Sequence, residues 1–154
     1  MLLDDLSCMG EGPLAPAAAD PQAEIIRIVF RDGHVRRPRT IAIRLEARPT
    51  PHIEAQMRRL LDPHPTSLAS RALPDEEWSE LHRCFEQSEL WLPPGPSATP
   101  DGADDVPTVT FELVRAGRYL KLERQGSELQ HAPKGHSTLE ACMRSAMASA
   151  GVMP

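Results

Sequence analysis

Histidine and cysteine are the residue types of this 154-residue chain with the widest chemical use. His82 and Cys84 lie two residues apart on a predicted helix, so their side chains point in different directions and suit a metal ion poorly. His131 and His136 share a predicted loop before Cys142, but no fourth ligand accompanies them. We therefore predict that the chain holds no metal ion and no cofactor.

Nucleophilic catalysis has two candidate residues, Ser137 and Cys142. Ser137 begins a Ser-Thr-Leu-Glu sequence that is typical of a helix capping box, which accounts for its hydroxyl. Neither residue has the flanking glycines of a nucleophile elbow, and no glycine-rich phosphate loop is present. The sequence predicts no catalytic residues and a protein that is not an enzyme.

Charge is divided unevenly along the chain, whose formal net charge is −5. Residues 25–72 contain ten arginines and four acids, and the segments on either side are acidic. The densest basic run, residues 34–39, includes Arg36, Arg37 and Arg39. It has two readings: a contact for phosphates or an acidic partner, or an exposed hairpin loop whose charges discourage aggregation at a sheet edge.

A β-hairpin is predicted around Ala116-Gly117, because glycine supplies the positive φ of a tight turn. In this register Arg115 pairs with Arg118, and the core face carries apolar residues: Val109, Phe111, Leu113, Leu120 and Leu122. The other face carries the residues that we predict to be available to a partner: Thr110, Glu112, Val114, Tyr119, Lys121 and Glu123. Glu112 and Lys121 are predicted to form a cross-strand charge pair there, and Tyr119 beside Val114 is either covered by a neighbouring segment or open to a partner.

The remaining elements are predicted from apolar periodicity. Residues 24–31 and 39–47 alternate as strands, with Ile26 opposite Ile43 and a long basic loop at 31–38. A helix is predicted from Thr50 to Asp62, a loop at 63–73, a helix from Asp75, and a last helix from Ser137. The order ββααββα predicts an α+β fold: a four-stranded antiparallel sheet with helices on one face, a two-layer sandwich.

Outside these elements, residues 1–23 are predicted to be a disordered tail, and residues 24–150 a single domain with a flexible acidic loop at 93–107. No signal peptide or membrane-spanning segment is predicted. The three cysteines are odd in number and widely separated, which favours reduced thiols in a cytoplasm over a disulfide framework. The oligomeric state stays open.

The motifs Asp75-Glu-Glu-Trp78, Leu90-Trp-Leu-Pro93 and Ala116-Gly-Arg-Tyr119 together resemble a group of small, uncharacterised bacterial α+β proteins. The resemblance covers residues 73–150 and implies a fold, with no activity attached to it. This chain departs from the pattern after Asp101-Gly102, where Ala-Asp-Asp replaces an aromatic strand entry.

These observations predict a non-enzymatic protein–protein interaction domain of bacterial type, such as an immunity protein, an adaptor or a chaperone. The alternative is binding of nucleic acid or another polyanion through the basic loop 31–39. The predicted interaction surface joins residues from both regions: Arg36, Arg37, Arg39, Glu112, Val114, Tyr119 and Lys121.

Overall fold

The computed structural model describes residues 6–31, 39–59, 62, 64–87, 108–125 and 139–151. The strands in chain order are β1 (Glu24–Arg31), β2 (Arg39–Glu46), β3 (His52–Arg59), β4 (Thr66–Ala72), β5 (Thr108–Arg115) and β6 (Arg118–Gln125). The helices are a 3-10 helix (Ala15–Ala19), α1 (Asp75–Glu86) and α2 (Leu139–Ser149). The flexible loop predicted at 93–107 lies outside the described residues.

All six strands belong to one antiparallel sheet with the order β4-β3-β2-β1-β5-β6. The predicted register of the β5–β6 hairpin is confirmed, from Arg115 opposite Arg118 outward. The turn residues Ala116 and Gly117 both have positive φ, at 50° and 73°, as a tight hairpin turn requires. Strand β1 pairs with β2 two residues away from the predicted register, with Ile28 opposite Ile43, so the same side chains still face the core.

The predicted four-stranded fold, with the order ββααββα, is wrong, because two further strands occupy the region between β2 and α1. Residues 52–59, predicted as a helix, form β3, and the predicted loop contains β4. Ile53 and Met57 are spaced by four residues, which fits one face of a helix and equally one face of a strand. Ala55 decides between them, since it lies fully buried on the same face, opposite Ile43 of β2.

Helices α1 and α2 pack on one face of the sheet, which forms the larger core. Phe85 of α1 and Ala146 of α2 are buried there against Ile28 and Phe111. A disulfide joins Cys84 of α1 to Cys142 of α2. The prediction of reduced thiols is therefore wrong for these two cysteines, and Cys8 alone is a free, exposed thiol among the described cysteines.

The opposite face of the sheet is covered by residues 6–23, which we call the N-terminal segment. Leu6 and Met9 pack on Val29 of β1, and Leu14 packs on Val114 of β5. The predicted disordered tail does not describe these residues, since Leu6, Met9 and Leu14 are each no more than 5% exposed. None of the helices in the described ranges is long and apolar enough to cross a membrane.

Candidate functional site: a groove between α1 and the β5–β6 hairpin

A groove with a volume of about 790 Å³ lies on the helix-bearing face of the sheet, between α1 and the β5–β6 hairpin. We call it the α1–β6 groove. Its floor is apolar, and charged side chains surround it. The lining residues are Ile26, His82, Phe85, Glu86, Phe111, Leu113, Arg115, Ala116, Arg118, Tyr119 and Leu120.

The floor follows from the hairpin register. Leu113 and Leu120 are opposite each other on β5 and β6, and both are only half-buried. The arginine pair Arg115 and Arg118 is the next one toward the turn on the same face, since side chains two residues apart share a side of a strand. An apolar strip therefore runs into two exposed guanidinium groups at the end of the hairpin.

Helix α1 forms the other wall because of its amphipathic spacing. Leu81 and Phe85 are four residues apart and point into the core, where the Phe85 ring meets that of Phe111 at a centroid distance of 5.3 Å. His82 and Glu86, also four residues apart, lie along the rim of the groove. Trp78 supports the His82 ring from the preceding turn, with centroids 6.1 Å apart.

The rim carries a connected series of polar contacts. The Nε2 of His82 lies 2.7 Å from the Oε1 of Glu24, and its Nδ1 lies 3.6 Å from the Oε1 of Glu86. Glu86 also accepts a hydrogen bond from Arg115. That hydrogen bond lowers the pKa of Glu86 and raises the pKa of Arg115, since it favours the charged form of both groups.

This arrangement suits binding better than proton transfer. Both ring nitrogens of His82 face carboxylates, so neither is directed at a molecule in the groove. No serine, threonine or cysteine is among the described lining residues, and the hydroxyl of the one lining tyrosine described, Tyr119, donates to Glu112. Apolar floor and charged rim are the features of a surface that recognises a ligand by shape and charge.

A second polar cluster lies on the opposite face of the sheet, buried under the N-terminal segment. Arg27 is 2% exposed, and its guanidinium donates to Glu112 at 2.6 Å, to Glu11 at 3.2 Å and to the carbonyl oxygen of Gly12 at 2.7 Å. The Tyr119 hydroxyl donates to the other oxygen of Glu112 at 2.7 Å. Burial and then this hydrogen bond raise the pKa of Tyr119 to about 12.

Burial by itself would lower the pKa of Arg27, but the hydrogen bonds and charges of Glu112 and Glu11 outweigh it and raise that pKa. The cluster is enclosed: Arg27 is shared by the carboxylates of Glu112 and Glu11, and Arg44, 3.6 Å from Glu11, adds the second positive charge. Its chemistry is therefore that of a structural connection between the N-terminal segment and the sheet.

The predicted interaction surface divides in the structure. Glu112 and Val114 are buried, and Tyr119 is half-buried. Lys121 is exposed on the edge strand, and Arg39 is half-buried at the start of β2. Arg36 and Arg37 lie outside the described residues. Tyr119 was predicted to be either covered by a neighbouring segment or open to a partner. The structure favours cover, because Ala17 and Ala18 of the N-terminal segment pack in its cluster.

The predicted charge pair between Glu112 and Lys121 is wrong, although the two residues are opposite in the register. The carboxylate of Glu112 binds Arg27 of β1 instead, which lies opposite it on the other side. A signal for this arrangement was present: residues 25–30 are apolar on both faces except for Arg27, which is the pattern of a strand covered on both sides. A charge in such a strand requires a buried partner.

The described residues contain no group of three or more His, Cys, Asp or Glu side chains that could hold a metal ion. Cys142, considered above as a ligand with His131 and His136, is engaged in the disulfide, and the two histidines lie outside the described ranges.

Comparisons with models of protein families, with characterised proteins and with solved structures give no match. The resemblance of residues 73–150 to small bacterial proteins stays a prediction.

Proposed function

We propose that this chain is a non-enzymatic protein–protein interaction domain that holds a segment of a partner protein in the α1–β6 groove. The single observation that carries the proposal is the groove itself, with the half-buried Leu113 and Leu120 beside the exposed Arg115 and Arg118. Half-buried leucines in a concave surface gain free energy when an apolar side chain of a partner covers them.

The charges around the groove favour an acidic partner. Arg118 lines the groove, and Lys121 lies on the opposite side of the same strand; both are exposed, and neither forms an ion pair with another described residue. By contrast, His82 and Arg115 are already paired with Glu24 and Glu86. Arg118, which has no ion-pair partner among the described residues, therefore gives the groove a preference for an acidic group, and the leucines give it a preference for an apolar one.

Three more specific predictions are part of this proposal. They are the bacterial type, the role of an immunity protein, adaptor or chaperone, and the cytoplasmic location. The argument for a cytoplasm rested on reduced thiols, and the disulfide between Cys84 and Cys142 removes that support.

The test compares two leucines on the same face of the sheet. Leu120→Asp places a charge in the groove, and Leu68→Asp places the same charge at the opposite edge, on β4, where Leu68 is also half-buried. A partner captured by the full chain and purified should bind the Leu68→Asp protein as it binds the unchanged chain, and should bind the Leu120→Asp protein at least tenfold more weakly.

Circular dichroism must show that both variants fold. Where Leu120→Asp fails to fold, Arg118→Glu at the exposed rim replaces it and should weaken binding in the same way. Equal binding by the unchanged chain and the groove variants would contradict the proposal.

A second candidate function, polyanion binding, is favoured by the arginines that the sheet places next to the basic loop. Arg39 lies opposite Arg59, and Arg58 lies opposite Thr40, which itself pairs with Arg31. Retention on a polyanion column that falls with salt and disappears in the Arg36→Ala/Arg37→Ala/Arg39→Ala protein would support this candidate. Retention that does not depend on these arginines would reject it.

A further inference from the structure

The two edges of the sheet differ in regularity. In β4, Ala69 lies opposite Ala55 and Ser67 lies opposite Gln56, so Leu68 is an extra residue that interrupts the pairing. A bulge of this kind on an edge strand hinders the addition of a further strand. Strand β6 pairs with β5 in an unbroken register along its whole length. Within the described ranges, nothing pairs with the outer side of β6.

The β6 edge carries two exposed cations, Arg118 and Lys121, and one exposed acid, Glu123. Arg118 and Lys121 would repel a basic strand placed against this edge, since like charges directly opposite each other are destabilising. An acidic segment gains from the same charges. Among the described residues, these two cations therefore favour an acidic strand as the occupant of the β6 edge.

The two faces of β6 present different side chains to such a strand. On the helix-bearing side, Leu120 and Leu122 are half-buried, and Leu120 lines the α1–β6 groove. On the other side, Lys121 is exposed beside the half-buried Tyr119. Because side chains alternate along a strand, a partner needs apolar residues toward the groove and an acidic residue between them.

We propose that the partner binds as an extended, acidic segment that adds to the β6 edge as a seventh strand. In an antiparallel arrangement its side chains follow the order apolar, acidic, apolar, any residue, acidic. They face Leu122, Lys121, Leu120, Tyr119 and Arg118 in turn. This inference rests on the proposed function and adds to it the kind of partner and the mode of recognition, in which main-chain hydrogen bonds supply affinity and alternate side chains supply specificity.

The experiment uses the full chain and a fluorescently labelled synthetic peptide, Gly-Ser-Leu-Glu-Leu-Thr-Glu-Ser-Gly, with binding measured by fluorescence anisotropy. The peptide should bind, and Lys121→Glu should weaken its affinity by about fivefold to tenfold, since a cross-strand attraction becomes a repulsion. A peptide with lysine in place of its first glutamate should restore binding to the Lys121→Glu protein.

Arg83→Glu is the matched control, because it makes the same change in net charge at an exposed position of α1 that does not line the groove, and it should leave affinity unchanged. The second control uses two N-methylated peptides, one methylated at the amides that would face β6 and the other at the amides between them. Methylation of the amides that face β6 should abolish binding, because it removes the main-chain donors that strand addition uses.

Absence of peptide binding would overturn the inference. So would binding that survives Lys121→Glu and both methylated peptides. Binding that survives those changes and is lost in the Leu120→Asp protein would retain the groove as the site and reject strand addition, so the two proposals can fail separately.

Discussion

At the scale of single residues, Arg27 joins the face of the sheet opposite the helices to the N-terminal segment. Its guanidinium links Glu112 of β5 to Glu11 and Gly12 of the N-terminal segment. Removing one partner of a buried ion pair leaves an uncompensated charge, at a cost of about 3–5 kcal/mol. The N-terminal segment is therefore held in part by the charge of Arg27, a residue of β1 that lies outside the segment itself.

Tyr119 reports on this cluster, and it is the only tyrosine of the chain. Its pKa of about 12 lies above the value near 10 of an exposed tyrosine. Between about pH 10 and 12 the unfolded chain loses this proton and the folded chain keeps it, so the stabilisation is complete below pH 10 and is lost as the pH rises. We expect the phenolate absorbance of the folded protein to appear with a midpoint near pH 12.

Glu112→Gln is the matching variant, since it keeps the size of the side chain and removes the charge that opposes phenolate formation. Its midpoint should fall below that of the unchanged protein and stay above about pH 10, because burial, the largest cause of the raised pKa, remains. A midpoint near pH 10 in the unchanged protein would show that the N-terminal segment does not cover Tyr119 in solution.

At the scale of elements, β3 shows why periodicity misled the prediction. Apolar residues four apart satisfy both a helix and a strand, and Thr50-Pro51 supplied a helix start signal before them. The pairing with β2 decides the matter, because it places Ile53 opposite Leu45 and Glu54 opposite Arg44. Those partners lie in another segment, so residues 50–62 read alone do not contain them.

The disulfide between Cys84 and Cys142 is the covalent connection between α1 and α2, across a sequence separation of 58 residues. Replacing both cysteines with alanine should lower the free energy of unfolding by about 2–4 kcal/mol, because the unfolded chain regains the freedom that the crosslink removes. Urea denaturation followed by circular dichroism measures this difference, with Cys8→Ala as the control that should change nothing.

Thiol titration of the unreduced, denatured protein independently counts the free cysteines. One thiol should react, that of Cys8, and all three should react after reduction. Three reactive thiols before reduction would show that the crosslink is absent.

At the scale of the whole molecule, the sheet has a protected centre and two unlike edges. Strand β1 lies between β2 and β5 and is covered on both faces, by the helices and by the N-terminal segment. Local stability follows burial and the pairing of backbone groups. The sheet is therefore most resistant to opening at β1 and least resistant at β4 and β6.

Hydrogen exchange followed by mass spectrometry tests this order. Amides of residues 25–30 should exchange slowest, and those of β4 and β6 fastest among the strands. Addition of the acidic peptide should slow exchange in β6 and leave β4 unchanged. Exchange in β1 that is as fast as in the edge strands would contradict the two-sided cover of the sheet.

The sequence by itself determined those features whose interacting residues are neighbours along the chain. The β5–β6 register follows from Gly117 and from alternation on either side of it, and the helix from Asp75 follows from its acidic first turn and apolar spacing. Leu113 and Leu120, which form part of the groove floor, were placed on the core face by the same reasoning. Their partial exposure does not follow from the local sequence.

Only the tertiary structure decided the features that depend on distant contacts. It selected a strand for residues 52–59, gave Glu112 to Arg27, covered the second face with the N-terminal segment and joined Cys84 to Cys142. It also buried Glu112 and Val114 of the predicted surface and left Leu113 and Leu120 half-buried in the α1–β6 groove. Each of these outcomes is set by burial and charge pairing between segments, and local propensity and periodicity contain no information about which segments meet.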